Sequence, residues 1–311
     1  MSQAIKPIFD QADMQPNVGR MPHWIRQHLG DHSQYALTAD AVRRNALHTV
    51  CEEARCPNRG ECWSRGTATF MLLGDTCTRA CGFCAVKTGR PGAYDLDEPR
   101  RVADAVINMG LGYVVLTSVN RDDLPDGGAR VFADTVRELR RRKPHIGLEL
   151  LTPDFQQCQE QATQTITAAL DGGGSLVWGH NVETVPGLYK TVRKGSRYER
   201  SLSLLERAAS QPGVAAKSSL MLGLGERREE VTEVLRDLRA IGVSRVSLGQ
   251  YLRPTRHHLP VKEYITPETF ANYEQEARAL GFAWVKAGPL VRSSYHAEEK
   301  QGPVAPSAAK T

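Results

Sequence analysis

The sequence predicts an α/β fold with a mainly parallel sheet. Short apolar runs rich in β-branched residues recur along the chain, and an amphipathic stretch follows nearly every one of them. Neither an internal repeat nor a linker divides residues 65–290. Six strand-then-helix units favour parallel strands joined by right-handed crossovers. Because a closed barrel has eight such units, the pattern fits either a partial barrel or an open doubly wound sheet.

The predicted elements follow in chain order. Strands are expected at residues 67–73, 112–117, 146–151, 175–179, 214–222 and 243–251, with a last extended segment at 282–287. Residues 1–20 and the tail from about residue 300 are predicted to be loosely structured. Three helices have readable ends: one capped by Asp97 and running to Met109, one over residues 226–241, and one from Thr266 to Gly281.

Composition excludes several classes of protein. The chain has 311 residues, with 40 Lys and Arg against 35 Asp and Glu, and 41% of its residues are hydrophobic. These values exclude a disordered chain, a collagen-like fibre and a small disulfide scaffold, and a net charge of +5 is weak support for a polyanionic partner. No apolar run approaches the roughly 18 residues of a membrane span, and residues 1–20 lack the apolar region of a signal peptide. We therefore expect a cytoplasmic protein whose cysteines are metal ligands or catalysts rather than disulfides.

Six of the seven cysteines lie in two groups of three between Cys51 and Cys84. The second group, Cys77, Cys81 and Cys84, follows the first predicted strand, where α/β barrels place their active sites. Gaps of three and two residues let three thiolates converge on three corners of a cubane iron–sulfur cluster and leave the fourth iron open. A structural zinc site or an electron-transfer cluster needs four ligands, and no fourth Cys or His lies nearby at finger spacing. The open corner indicates a site that binds another molecule.

The first group, Cys51, Cys56 and Cys62, has gaps of four and five residues. This spacing matches neither a zinc finger nor one face of a helix, so its chemistry stays open on spacing alone. The softness of Cys158 makes it a rival metal ligand. It lies far along the chain from both groups, at the start of a predicted helix, and is interpreted as a free structural thiol.

The pattern C-x3-C-x2-C, with the aromatic Phe83 before the last cysteine, resembles the signature of the radical S-adenosylmethionine (radical SAM) superfamily. The resemblance implies a partial barrel of six units, in which an open iron chelates S-adenosylmethionine and its reductive cleavage gives a 5′-deoxyadenosyl radical. The stretches CEEARCPNRGECW and ATFMLLGDTCTRACGFC closely resemble the lipoyl synthase family. Matches in DEPRRVADAV, NRDDLPDGGA, ELLTPDF, GHNVETVP, GLGE, QYLRPT and AGPLVRSSYHAEE extend this resemblance over about residues 45–298.

Resemblance to that family implies a sulfurtransferase that inserts sulfur at C6 and C8 of an octanoyl chain carried on a lysine of a lipoyl carrier domain. No side chain is basic enough to remove hydrogen from an alkyl carbon, so the cofactor supplies a radical and the protein supplies position. The family uses two S-adenosylmethionine molecules per product and takes sulfur from an auxiliary [4Fe-4S] cluster, implied to be held by Cys51, Cys56 and Cys62. The fourth ligand is implied to be a serine of the RSSY segment, which we place at Ser294 with Ser293 as the alternative.

The resemblance also implies a division of the chain and of its roles. Residues 1–64 form an N-terminal extension with the auxiliary cysteines, 65–290 the radical SAM partial barrel, and 291–311 a C-terminal segment with RSSY and a disordered tail. The implied catalytic residues are Cys77, Cys81, Cys84 and Ser294, and the implied contacts to S-adenosylmethionine are Phe83, Gly223 and Glu226. Polar residues after the second and fourth predicted strands are weaker candidates for the same pocket: Asn120, Arg121, Asp122, Asp123, His180, Asn181 and Glu183.

The implied partners are octanoylated lipoyl domains, namely those of 2-oxoacid dehydrogenase E2 subunits and the glycine cleavage H protein. A ferredoxin or flavodoxin-type electron donor and an iron–sulfur carrier protein are also implied, and neither nucleic acid nor a membrane is. The cations of residues 137–143 lie at a predicted helix C-terminus, where the backbone dipole favours positive charge; a docking patch for an acidic carrier is the alternative. The pair His257 and His258 lacks i, i+4 spacing and fits a polar loop.

Two other functions are disfavoured by the sequence. Another sulfur-inserting radical enzyme, such as biotin synthase, would not need the first cysteine group and RSSY in this arrangement. A non-catalytic iron–sulfur or zinc protein that binds nucleic acid is also disfavoured, because the chain shows no interleaving of aromatic and basic residues.

Overall fold

The computed structural model describes residues 20–25, 32–44, 47–53, 56, 58–64, 69–170, 174–295 and 297. Loosely structured ends were predicted at residues 1–20 and from about 300, and all of these residues except residue 20 lie outside the described residues, as do residues 67 and 68 of the first predicted strand. The strands are β1 (His48–Thr49), β2 (Thr69–Leu72), β3 (Thr76–Cys77), β4 (Lys87–Thr88), β5 (Tyr113–Ser118), β6 (Gly147–Leu151), β7 (Leu176–Gly179), β8 (Val214–Leu222), β9 (Arg245–Gln250) and β10 (Trp284–Gly288).

The helices surround the sheet. They are α1 (His32–Arg44), α2 (Val50–Glu53), α3 (Arg59–Ser64), α4 (Glu98–Asn108), α5 (Ala129–Arg142), α6 (Gln159–Thr167), α7 (Tyr189–Val192), α8 (Tyr198–Ala209), α9 (Arg228–Ala240) and α10 (Pro267–Ala279). Short 3-10 helices span His23–Ile25, Ala168–Leu170 and Pro186–Leu188. None of the described helices is long and apolar enough to cross a membrane.

The main sheet of the described residues has eight strands in the order β1-β2-β5-β6-β7-β8-β9-β10. All neighbours from β2 to β10 are parallel, and β1 runs antiparallel to β2. The order follows the chain in one direction, whereas a doubly wound sheet places its first strand in the interior. Six strand–helix units confirm the predicted partial barrel, and β10 is the expected last extended segment. The short strand β1 and the small β3–β4 ladder were not predicted.

The central strands of the main sheet are buried on both faces, as parallel strands covered by helices are. Every residue of β2 and β9 is buried, and so is all but one residue of β8. On the outside, α9 buries Val231, Val234, Leu235 and Leu238, the apolar positions that the helical spacing predicted. The helices therefore cover the outer face of the sheet, and the inner face encloses the barrel interior.

Helix starts follow the sequence signals with one exception. Thr266 Oγ1 accepts a hydrogen bond from the Thr269 amide at 3.2 Å, and Pro267 is the first residue of α10. Asp97 precedes α4, but the predicted side-chain cap is wrong, because its carboxylate binds Arg100 (2.5 and 2.8 Å) instead of the helix amides. Asp97 has helical dihedral angles, whereas a capping residue is normally extended.

A buried ion pair fills the barrel near the amino ends of the strands. Lys217 Nζ of β8 lies 2.8 Å from Glu149 Oε1 of β6, and both side chains are 3% exposed. Tyr113 donates its hydroxyl to the other carboxylate oxygen at 3.0 Å, and the ring of Trp284 lies 4.7 Å from Lys217 Nζ. Open space in the barrel is consequently found at the carboxyl ends of the strands.

Candidate active site

A cavity of about 840 Å³ opens at the carboxyl ends of the strands. Its wall includes Ser118 at the end of β5, Leu151 at the end of β6 and Met221 near the end of β8. This is the end at which barrel enzymes place their chemistry, and the volume is in the upper part of the roughly 300–1,000 Å³ range of small-molecule sites. Four cysteines from the two groups also line the cavity: Cys56, Cys77, Cys81 and Cys84.

The second cysteine group occupies the loop that begins at β3. Cys77 ends β3, and its sulfur accepts hydrogen bonds from the backbone amides of Arg79 (3.4 Å) and Asn120 (3.3 Å). The Cys84 amide donates to the Cys81 carbonyl at 3.2 Å, within a loop whose three cysteines all line the cavity. Amide donors to sulfur stabilise a thiolate, which is the form that binds iron.

Burial favours the neutral form of these thiols. It raises the pKa of Cys81 to about 11 and that of Cys84 to about 12, and Cys77 adds to both shifts. Burial also raises the pKa of Cys77, although the two backbone amides oppose it. Because a metal ligand must be deprotonated, loading iron at this loop would release protons.

Arg79 lies inside the second cysteine group and anchors its loop. The guanidinium is buried and binds Asp122 through Nε (2.5 Å) and Nη2 (2.8 Å). It also donates to Gln156 Oε1 (2.6 Å) and to the Gly195 carbonyl (2.5 Å), and Asp154 Oδ1 lies 3.3 Å away. Side chains from the loops after β5 and β6 therefore hold the cysteine loop in place.

This anchoring accounts for most of the polar run that follows β5. Asp122 is engaged by Arg79. Burial raises the pKa of that carboxyl, but the hydrogen bonds from Arg79 and Thr78 and the positive charge of Arg79 and Arg200 together lower it. Arg121 binds Asp123 (2.8 Å) and two backbone carbonyls. Asn120 lines the cavity. The run was a candidate contact for S-adenosylmethionine, and the structure shows that its charged members bind one another and the cysteine loop.

Three buried polar atoms beside the second cysteine group have no hydrogen-bond partner within the described residues. They are Ser118 Oγ, Asn181 Oδ1 and Arg193 Nε, and all three residues line the cavity. Arg193 is held by bonds from Nη1 to the Asn181 carbonyl (2.8 Å) and to Ser201 Oγ (3.1 Å). A buried cationic donor beside an amide oxygen fits the carboxylate and ammonium of an amino acid. S-adenosylmethionine carries both groups at its methionine end.

The loop after β7 forms the adjoining wall. The His180 ring is buried, with Nδ1 2.9 Å from the Thr152 carbonyl and Nε2 3.0 Å from Ser201 Oγ. The carbonyl can only accept, so Nδ1 carries the proton, and burial lowers the pKa of His180 to about 4. Glu183 accepts from Asn181 Nδ2 at 3.1 Å and has a φ of 66°. Such strain in a non-glycine residue clusters at functional sites.

The first cysteine group lies beside the RSSY segment. Cys51 belongs to α2 and Cys62 to α3, and Cys56 lines the cavity together with Ser293 and Ser294. Burial raises the pKa of Cys51 to about 11, opposed by hydrogen bonds from the Thr69 amide and a nearby indole. The segments that were predicted to share one cluster are therefore brought together by the fold.

Hydrogen bonds fasten the C-terminal segment to the N-terminal part of the chain over more than 220 residues of sequence. They run from Asn58 Nδ2 to the Leu290 carbonyl (2.6 Å), from the Tyr295 hydroxyl to Glu61 Oε1 and Oε2 (2.9 and 3.1 Å), and from Thr69 Oγ1 to Ser294 Oγ (3.0 Å). Ser294 is thus the serine of the pair that a side chain of the barrel holds in position.

The remaining predicted contacts to S-adenosylmethionine differ in their placement. Phe83 lines the cavity. Gly223 and Glu226 follow β8 and lie outside the cavity wall, where the Glu226 carboxylate accepts from the amides of Gly223 (2.5 Å) and Leu224 (2.9 Å). Glu226 therefore fixes the turn after β8 instead of facing the cavity.

Other candidate residues from the sequence have local roles. Cys158 is free, precedes α6 and is half-buried. The basic run 137–143 ends α5 at the amino ends of the strands, and Arg142 binds Asp104 and Glu138 within the chain. His258 Nε2 lies 3.0 Å from the Cys84 carbonyl, so His258 supports the cysteine loop, whereas the His257 amide donates to Thr255 Oγ1 at 3.2 Å in its own loop.

Within the described part of the chain, no three His, Cys, Asp or Glu side chains are grouped closely enough to hold one metal ion. In a four-iron cluster each thiolate binds a different iron, so its ligands stand farther apart than those of a single ion. The assignment of clusters accordingly rests on the motifs, their shared cavity and the donors to sulfur.

Two residues of the site were missed from the sequence. Arg79 stands between two motif cysteines, and that position was the signal available for a role in the loop. Arg193 lies in the run KTVRKGS between other cations, where nothing in the sequence marks it. Its importance is visible only once α7 places it, buried, against the cavity.

Comparisons with known proteins agree with the site. Residues 71–238 match the radical SAM superfamily. A lipoyl synthase from Rubrobacter xylanophilus is 53% identical over 280 residues, which cover 90% of this chain and 86% of the relative. A lipoyl synthase from Symbiobacterium thermophilum is 51% identical over 301 residues, which cover 96% and 91%.

Solved structures show the same architecture. Streptococcus suis SuiB bound to precursor peptide SuiA has a TM-score of 0.55 and 12% identity, covering 81% of this chain, which spans about half (52%) of SuiB. Methylornithine synthase (PylB) has a TM-score of 0.50 and 12% identity, covering 85% of this chain and 88% of its own. Likeness at such low identity concerns the fold alone. With the superfamily match and the two close relatives, it follows that the chain belongs to the lipoyl synthase family of radical SAM enzymes.

Proposed function

We propose that Cys77, Cys81 and Cys84 hold a [4Fe-4S] cluster whose fourth iron faces the cavity. All three residues line the cavity, and backbone amides donate to the Cys77 sulfur. The chain offers the thiolates that such a cluster requires, and Arg79 fixes the loop that carries them. The polar cavity wall next to this loop leaves room for a small-molecule ligand at the open corner.

Cys51, Cys56, Cys62 and Ser294 hold the auxiliary cluster in this proposal. The observation that carries it is that Cys56 and Ser294 line the same cavity as the second cysteine group. One substrate chain lying in the cavity could then reach both cluster sites. Ser293 also lines the cavity, but the hydrogen bond from Thr69 to Ser294 favours the latter as ligand.

S-adenosylmethionine is proposed to place its methionine end against Asn181 and Arg193, with Phe83 and Ser118 as neighbours in the wall. Buried atoms of Ser118, Asn181 and Arg193 that have no partner in the described part of the chain support this placement. Gly223 and Glu226 would contribute indirectly, by fixing the turn at the end of β8. His180 stays neutral at physiological pH and orients the loop that carries Asn181.

As a member of its family, the chain is a sulfurtransferase that converts a protein-bound octanoyl group into the lipoyl cofactor. When bound, the clusters and two S-adenosylmethionine molecules supply the radical that removes hydrogen from C6 and C8 and the sulfur that replaces it. The protein's own residues bind and orient the chain and exclude water. Met71, Val119 and Leu151 form apolar wall suited to an octanoyl group.

Partners and location follow as further parts of the proposal. The carriers are octanoylated lipoyl domains of E2 subunits and of the glycine cleavage H protein, electrons come from a ferredoxin or flavodoxin, and an iron–sulfur carrier rebuilds the auxiliary cluster in the cytoplasm. The proposed division is 1–64, 65–290 and 291–311. The hydrogen bonds from Asn58 and Tyr295 support grouping the first and last parts round one cluster.

The proposal is tested by loading the protein anaerobically with iron and sulfide and adding S-adenosylmethionine, a reductant and an octanoyl-lysine peptide. Mass spectrometry follows the peptide and 5′-deoxyadenosine together. Cys84→Ala should abolish 5′-deoxyadenosine and product alike, whereas Arg193→Gln should weaken binding of S-adenosylmethionine by about 10-fold or more, the loss of a charge-assisted hydrogen bond. Undiminished cleavage in Cys84→Ala would overturn the assignment of the second cysteine group.

A further inference from the structure

Thr69 makes a direct side-chain contact to the proposed serine ligand of the auxiliary cluster. It is the first residue of β2, is 5% exposed and lines the cavity. Its hydroxyl donates to Ser294 Oγ at 3.0 Å, across 225 positions of the sequence. One strand residue therefore contacts the side chain that is the proposed serine ligand.

We propose that Thr69 is a positioning residue for the auxiliary cluster, holding Ser294 Oγ in the orientation in which it binds iron. This inference rests on the proposed roles of Ser294 and Cys51 as ligands. A serine side chain has three staggered rotamers, and a fixed donor selects one of them. Partners of this kind orient metal ligands, and their loss typically costs roughly 10–100-fold in metal affinity or activity.

The rigidity of Thr69 distinguishes it from the other links to the C-terminal segment. Asn58 contacts a backbone carbonyl, and Tyr295 contacts a carboxylate in α3, so neither reaches the serine oxygen. Thr69 is fixed by the parallel ladder between β2 and β5, in which it is paired with Val115. Among the described residues, the hydroxyl that holds the serine oxygen is therefore that of Thr69, which is itself held by the sheet.

Substituting the hydroxyl isolates this contact. Thr69→Val removes the donor to Ser294 but keeps the β-branched shape and the backbone pairing of the strand. Thr69→Ser keeps a hydroxyl and should rescue the effect. Thr117→Val is the matched control, because Thr117 is a strand threonine of equal exposure whose hydroxyl donates to the Leu151 carbonyl at 2.7 Å.

The experiment loads each full-length variant with iron-57 and sulfide and measures two properties. Mössbauer spectroscopy reports the iron that carries an oxygen ligand, and a chelator challenge reports the rate of iron loss. We expect Thr69→Val to lose the oxygen-ligated iron signal and to release auxiliary iron about 10–100-fold faster. Thr69→Ser and Thr117→Val should behave as wild type, and retained cleavage of S-adenosylmethionine by Thr69→Val would show that the barrel is folded.

Failure of the inference differs from failure of the proposed function. If Ser294→Ala removes the oxygen-ligated signal but Thr69→Val keeps it with unchanged iron loss, Thr69 is not a positioning residue and Ser294 remains the ligand. If Ser294→Ala keeps the signal, the assignment of Ser294 is wrong and the inference falls with it. If Thr69→Val and Thr117→Val lose the oxygen-ligated signal and auxiliary iron to the same extent, the inference about Thr69 is also overturned. The effect would then be that of removing any buried strand hydroxyl.

Discussion

Arg79 tests whether the cysteine loop is held by buried charge. Its side chain is 7% exposed and contacts Asp122, which is 29% exposed, and Asp154, which is 1% exposed. Arg79→Met would leave both carboxylates without this partner. Breaking a buried ion pair costs about 3–5 kcal/mol. Asp154 keeps Arg200 at 2.8 Å and Asp122 can be hydrated, so the lower end, about 3 kcal/mol, is expected.

The assay is urea unfolding of the protein without iron, under reducing conditions, with the loading of iron as a second readout. Arg100→Met is the matched control, because Arg100 is 54% exposed and binds Asp97 (2.5 Å) and Asp104 (2.7 Å) at the surface. An exposed pair contributes little to stability, because water screens both charges. Arg79→Met should also bind less iron at the second cysteine group, whereas Arg100→Met should not. Equal stability and equal iron content in the two variants would refute the anchoring role.

Three other predictions concern stability. Burial lowers the pKa of His180 to about 4. As the pH falls below the ordinary histidine pKa, the unfolded chain binds a proton at His180 and the folded chain does not. The unfolded state is thereby stabilised, and the free energy of unfolding should fall by about 2 kcal/mol between pH 7 and pH 5. Urea unfolding at pH 7 and pH 5 should show a smaller loss of stability in His180→Gln than in wild type. Equal losses in the two proteins would contradict this prediction. Lys217→Met leaves Glu149 buried without its cation and should cost about 3–5 kcal/mol in the same assay, most of it recovered by adding Glu149→Gln; a single variant as stable as wild type would disprove this. Gly223 has a φ of 94°, and the backbone carbonyl of Glu263 occupies the space that a Cβ would need, so Gly223→Ala should cost about 2 kcal/mol or more in thermal unfolding. Gly92→Ala, which meets open space, is the control and should be nearly neutral.

Much of the fold could be predicted because its signals are local. The β-branched run that became β8 and the helical spacing of α9 each depend on neighbouring residues. The cysteine spacing of the second group is equally local, and that spacing alone indicates a cluster with an open corner. The count of six units fits either a partial barrel or a doubly wound sheet, and the strand order of the structure distinguishes between them.

The supporting contacts could not be predicted, because they join residues far apart in sequence. Arg79 meets Asp122 across 43 positions and Thr69 meets Ser294 across 225, and no periodicity encodes either pair. The charges after β5 looked like a ligand site because they follow a strand, yet most of them bind one another. Arg193 is the opposite case. In the sequence it is one cation in a basic run, and only the fold shows that it is buried against the cavity.

The two cysteine groups are proposed to do different work beside one cavity. A single-turnover assay with octanoyl-lysine peptide and S-adenosylmethionine, read by mass spectrometry, compares wild type with Cys56→Ala. Wild type should add two sulfurs to the peptide with two molecules of 5′-deoxyadenosine per product. Cys56→Ala, which removes a cavity-lining member of the first group, should still form 5′-deoxyadenosine but add no sulfur. Sulfur insertion by Cys56→Ala at the wild-type level would contradict the account.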